Sequence, residues 1–148
     1  MMSAKTVLVT LQQLATKAVD TAAEQLTTSN QSLADEKNTL VMLEKYRDEY
    51  IAKLSVKLET GVDIQIHQNF QRFLQMLDDA IKGQEQVVEN AKAKVMMDQH
   101  AWQYSNKKKF SYDVLGDRYQ KKENQLEGRR EQKLMDEFAM RVSKVRIA

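Results

Sequence analysis

No proline and no cysteine occur in these 148 residues, glycine occurs four times, and tryptophan once. An average chain of this length would carry roughly seven prolines. Inside a helix, proline removes a backbone donor and clashes with the preceding turn, at about 3 kcal/mol. A chain without it is free to stay helical over very long stretches. The lack of cysteine excludes a disulfide framework and thiol chemistry, and fits a reducing compartment. Long apolar runs are missing too. Val7-Leu8-Val9 is soon interrupted by Gln12-Gln13, too short for a signal-peptide core, and no stretch is long enough to span a bilayer. A soluble, intracellular protein with no direct membrane insertion is expected.

What is present is the composition of long or coiled helices: 30% charged, 42% hydrophobic and 7% aromatic residues. The net charge of +2 is unevenly spread. Residues 1–60 hold 7 Lys/Arg against 8 Asp/Glu, residues 61–105 hold 4 against 6, and residues 106–148 hold 12 against 7. Basic character is concentrated in the last third, a pattern that marks either an end meeting an acidic partner or simply a solvated face.

The one strong break is Leu58-Glu59-Thr60-Gly61-Val62-Asp63. Before it, Leu26, Leu33, Leu40 and Leu54 recur at seven-residue steps with Arg47 in the remaining slot, and Ser29, Glu36, Leu43 and Tyr50 form a mixed companion series. After it, Leu74, Ile81, Val88, Val95 and Trp102 repeat the period, with Phe70, Leu77, Ala91, Tyr112, Tyr119 and Leu126 as companions. Both patterns read as coiled-coil seams. Upstream, Leu8, Leu11, Ala15, Ala18 and Ala22 extend the first stripe, with a stutter between Ala22 and Leu26. Gly83 and Gly116 are expected soft points at about 1 kcal/mol each.

Folding at the break matches Leu26 with Val95, Leu33 with Val88, and Leu40 with Ile81, which favours an antiparallel hairpin over a parallel dimer. The expected fold is all-α: a single coiled-coil domain over 1–148, with helix 1 at about 4–58, a turn at about 59–66 and helix 2 at about 67–143. Everything after about Gly116 then projects past the first helix, and an amphipathic tip of that kind needs a partner.

Chemistry finds little support. His67 and His100 have no metal-ligand spacing, the glycines form no phosphate loop, and Asp78, Asp79, Glu85 and Glu89 read as a solvated surface. No enzyme activity, cofactor or metal is expected. Lys107-Lys108-Lys109 and Arg129-Arg130 raise nucleic acid or anionic lipid, but the interleaved Asp113, Asp117, Glu123, Glu127 and Glu131 dilute the stripe, so nucleic-acid binding is not expected. A better candidate lies near the turn, where Leu43, Tyr46, Tyr50, Phe73, Leu77 and Ala80 form one stripe across both helices. It either widens the core or leaves apolar area open to a partner.

Three segments carry a resemblance. They are Met42-Leu43-Glu44-Lys45-Tyr46-Arg47-Asp48-Glu49-Tyr50, Asn69-Phe70-Gln71-Arg72-Phe73-Leu74-Gln75-Met76-Leu77-Asp78-Asp79-Ala80-Ile81, and Glu131-Gln132-Lys133-Leu134-Met135-Asp136-Glu137-Phe138-Ala139-Met140-Arg141. Together with chain length and turn position, they resemble the FliJ family, coiled-coil components of the bacterial flagellar type III export apparatus. The resemblance implies an antiparallel hairpin similar to the central stalk of rotary ATPases. It implies that the helical termini bind the hexameric export ATPase and promote its assembly and hydrolysis, and that the turn-proximal half touches the cytoplasmic domain of the membrane export gate. Handling of export chaperones is implied as well. Carried over by position, Leu43, Tyr46, Tyr50, Phe73, Leu77 and Ala80 would face the gate, and Lys133, Asp136, Glu137 and Arg141 the ATPase. At the edge of the gate patch, where the family often has glutamine and histidine, this chain has Thr39 and Gln84. A monomer when free, in the cytoplasm and peripheral to the inner membrane at the flagellar base, is the implied state. A stalk or escort protein of a virulence type III system, or a structural coiled-coil scaffold, shares the same rod.

Overall fold

Two helices, α1 (Ala4–Thr60) and α2 (Ile64–Ile147), make up the computed structural model, which describes residues 3–61 and 63–147. Local chemistry sets their ends. The Ser3 hydroxyl accepts the Thr6 N–H at 3.2 Å and the Ser3 carbonyl accepts that of Val7 at 3.1 Å, so Ser3 caps α1. Gly61 stops α1 with φ at 84°, a left-handed value that a side chain would strain. The Asp63 carbonyl accepts the His67 N–H at 3.0 Å and opens α2. The break is narrower than the expected 59–66: α1 runs to Thr60, α2 starts at Ile64, and Gly61 between them is left-handed. At the other end α2 continues past 143. Nothing there interrupts it, and Lys144 and Arg146 in the last turn oppose the negative end of the helix dipole. Gly83 and Gly116 lie within unbroken helix.

Burial traces one regular seam on each helix. On α1 the sheltered positions run 8, 12, 15, 19, 22, 26, 29, 33, 36, 40, 43, 47, 50, 54, alternating steps of three and four, with Leu11, Ala23 and Thr39 half-sheltered beside them. On α2 they run from His67 through Phe70, Leu74, Leu77 and onward to Tyr119 and Glu123 with the same alternation. These are heptad a and d positions, with Gln12 and His67 as the first a. The stutter expected between Ala22 and Leu26 is absent. Val19 takes the sheltered place and Ala18 is exposed, since valine buries more apolar area than alanine.

The chain forms two compact units. In the unit from Asp20 to Gln103, the two helices pack antiparallel, and Ala22, Leu54, Phe70, Leu77 and Val88 are buried. Three polar layers interrupt this core. Ser29 bonds to Asp98, Gln84 Nε2 donates to the Glu36 carbonyl at 3.0 Å and to its carboxylate, and Arg47 Nε meets Asp78 Oδ1 at 2.5 Å. Asp78 was expected to be a freely solvated acid and is instead half-sheltered by that pair. Leu26, Leu33, Leu40, Ile81, Val88 and Val95 all lie on the seam as expected.

In the other unit, the N-terminal segment to Val19 packs against α2 from Tyr104 onward. Ala15 is buried. Gln12 Nε2 donates to the Tyr112 carbonyl at 3.3 Å and lies over Gly116, where a Cβ would overlap the amide. Lys5 Nζ reaches Glu123 Oε2 at 4.0 Å. Pairing therefore reaches Glu123 and does not stop near Gly116, because the register places Gln12 over Gly116 and Lys5 by Glu123. Leu126, expected on the companion series, is exposed.

Candidate functional site

In an antiparallel pair, the g positions of the two helices share one flank and the e positions share the other. The turn-proximal candidates divide between seam and flank. Tyr50, Leu43 and Leu77 occupy d positions. Leu77 is only 9% exposed and belongs to the core, and Leu43 and Tyr50 are half-buried. The Tyr50 ring tilts against Phe70 at 4.8 Å and Phe73 at 4.4 Å between centroids, and Lys57 Nζ stands 5.0 Å over Phe70. This aromatic cluster stiffens the turn end. Tyr46, Phe73 and Ala80 occupy g positions and are open to solvent, Tyr46 at 57% and Phe73 at 41%. Met42 and Met76 stand one step further out on the same flank, both exposed. The sequence reading missed them, although Met42 lies one helical turn before Tyr46 and Met76 one turn before Ala80.

The opposite flank has a different character. A groove of 560 Å³ there is lined by Glu44, Arg47, Asp48, Asp78, Lys82 and Glu85 among others. One flank is therefore apolar and adaptable, with two methionines, while the other is charged. Gln84, at the edge of the candidate patch, bonds to Glu36 within the seam.

Asp98 is a buried carboxylate that the sequence reading did not single out, at 6% exposure. Seven-residue steps from Phe70 through Leu77, Gln84 and Ala91 reach it and would have found it. The Ser29 hydroxyl donates to it, and Lys94 Nζ lies 2.9 Å away. The Ser29 hydrogen bond, followed by the bond to Lys94, holds its carboxyl below the usual range against the opposing effect of burial. At the other unit, the negative charge of Glu123, then burial, raise the Tyr119 hydroxyl.

Beyond Glu123, every described side chain of α2 through residue 146 is exposed. Leu134, Phe138, Val142 and Val145 follow one another at steps of four, four and three, an apolar stripe without a covering surface; Phe138 is 69% exposed. Lys133, Glu137 and Arg141 lie beside this stripe and Asp136 on the far side of the helix, where Gln132 Nε2 donates to its Oδ1 at 3.1 Å. Among the described residues none of the four forms an ion pair. Neither group of His, Cys, Asp and Glu sufficient for a metal ion nor a helix long and apolar enough to cross a membrane occurs among the described residues.

Residues 4–146 match the family model described as Flagellar FliJ protein. The chain belongs to the FliJ family. It is 31% identical over 134 residues to the flagellar FliJ protein of Salmonella typhi, which covers 90% of this chain and 91% of that one. To the flagellar FliJ protein of Escherichia coli (strain K12) it is 30% identical over 136 residues, 92% of each chain. Both the turn-proximal flank and the uncovered end of α2 fall within the length shared with the FliJ family.

Proposed function

We propose that this chain is a non-enzymatic, stalk-like component of the flagellar type III protein export apparatus. Its uncovered α2 end binds the hexameric export ATPase, promoting ring assembly and ATP hydrolysis. Its turn-proximal flank contacts the cytoplasmic domain of the export gate, and the chain acts as one coiled-coil unit that couples the two. It also receives export chaperones, and works at the cytoplasmic side of the flagellar base, peripheral to the membrane. The observation that carries this reading is the α2 segment after Glu123: over twenty residues of helix whose apolar stripe is uncovered and bordered by unpaired charges. A helix of that length is marginal in water without a packed face. A ring whose lumen grips a helix would supply that face. Tyr46, Phe73, Met42 and Met76 support the gate contact, as an exposed apolar strip on an otherwise charged surface.

Titration of the protein into the purified export ATPase, following oligomer mass and hydrolysis rate together, tests the reading. Both are expected to rise with added protein. A rate and a mass that stay flat would end it.

A further inference from the structure

Between Lys107 and Glu131, basic and acidic residues alternate along the sequence and yet separate around α2. Lys107, Lys108, Arg118, Lys121, Lys122 and Arg129 occupy heptad positions c, f and g. Asp113, Asp117, Glu127 and Glu131 occupy b and e. At about 100° per residue the six cations fill an arc of about 140° that contains no acid, over about 33 Å of helix. The dilution expected from the linear order does not occur. All six are exposed, and among the described residues none forms an ion pair. The neighbouring pairs, Lys109 with Asp113 at 3.7 Å and Lys5 with Glu123 at 4.0 Å, lie off this arc.

Apolar side chains stand among these cations. Leu115 takes the g position between Lys108 and Lys122, and Tyr104 takes a c position; both are exposed. On α1 the same flank carries Val7 and Leu14 in c positions, Leu14 at 59% exposure. The cations are spread along about 33 Å of exposed helix and do not converge on one point. A nucleic-acid backbone would meet the cations and leave the leucines against charged phosphates. A lipid leaflet offers phosphate at the surface and hydrocarbon just beneath, which suits both sets of side chains.

We propose that this face of α2, with the adjoining edge of α1, docks on an anionic lipid surface without inserting. The cations meet headgroup phosphates, and Val7, Leu14, Leu115 and Tyr104 settle at the headgroup boundary. Of these residues only Arg129 lies in the α2 segment after Glu123 assigned to the ATPase; all the others are separate from the proposed ATPase and gate contacts, so the inference stands apart from them.

Flotation of the full chain with vesicles of phosphatidylcholine, alone or mixed with phosphatidylglycerol, tests it. The protein is expected to float only with the anionic vesicles and to be released by rising salt. Each cation removed from the face should weaken partitioning about fivefold, so Lys108→Gln, Arg118→Gln and Lys122→Gln together should lower it about a hundredfold. Lys37→Gln, Lys45→Gln and Lys82→Gln remove equal charge elsewhere and should float as the parent does. Lys122→Gln alone, at an exposed position, gives the same reading should the triple variant lose helicity. Equal flotation with uncharged vesicles overturns the proposal, as does equal loss in the two triple variants. Undiminished flotation of the face variants, alongside lost binding to an acidic protein, assigns the face to a protein and overturns it too.

Discussion

Heptad positions c and g carry opposite chemistry in the two units. From Met42 to Ala80 they include Met42, Tyr46, Phe73, Met76 and Ala80, an apolar strip interrupted by Glu49 and Lys53 near the turn. On α2 from Lys108 to Arg129 they include Lys108, Arg118, Lys122 and Arg129, with Leu115 among them. The a and d positions are apolar with a few polar layers in the unit from Asp20 to Gln103 and more polar in the other, where Gln12, Ser105, Lys109 and Glu123 occupy them. A seam must satisfy the partner helix and has little freedom. The flanks touch the partner helix at fewer points, such as Phe73 against Tyr50, so their composition is freer to vary than that of the seam. In this molecule that separation leaves an exposed apolar strip near the turn and a cationic arc in the other unit.

Experiments can break the comparison at several levels. The largest expected effect comes from removing the residues after Gly128. Stimulation of the export ATPase should be abolished, while helicity falls only in proportion to the residues removed; undiminished stimulation would show that the uncovered end is not the ATPase contact. Next is Leu77→Ala, which empties a buried d position and should cost about 2 kcal/mol in a urea melt. Tyr46→Ala on the neighbouring flank should change stability by no more than about 0.5 kcal/mol and still weaken binding to the gate domain. Equal destabilisation by the two would mean that flank and seam are one core, and the distinction between them would collapse.

Glycines sharpen the same contrast. Gly83 has open space around it, so Gly83→Ala should raise stability by about 1 kcal/mol through helix propensity. Gly116→Ala must first displace the Gln12 amide and its bond to Tyr112, so its gain should be smaller. The smallest effect concerns acid. Asp98 has a folded pKa lowered below its unfolded value of about 3.9. Its contribution is therefore complete above about pH 4 and is lost as pH falls through the lower folded value. Asp98→Asn should flatten this part of an acid titration followed by circular dichroism. Parallel loss in parent and variant would show that the Ser29–Asp98 layer carries no proton linkage.

Much of the architecture was legible early because it is local. The absence of proline, the Ser3 cap, the lone left-handed glycine at the break and the seven-residue leucines are each read within a few neighbouring residues. The seam was legible in outline, and its errors are instructive. Ala18 and Val19 are adjacent and apolar, so periodicity alone left the choice open, and the facing helix decided it. Asp98 and Gln84 looked like surface residues by type, yet they sit on the d series because Ser29 and Glu36 stand opposite. The candidate site was half legible: Tyr46, Phe73 and Ala80 lie on a flank, while Leu77 is held by the seam.

The sequence by itself determined that two long helices form, where the chain reverses, and which residue family lines each seam, since backbone sterics and short-range periodicity act along a single chain. The tertiary structure alone decided where pairing stops at Glu123, which polar groups are sheltered, and how much of the turn-proximal stripe stays open. Those outcomes depend on what the other helix places opposite each residue. The separation of charge around α2 stands between the two: it was written in the order of residues, but it shows only when cations and acids are placed around the helix instead of along the chain.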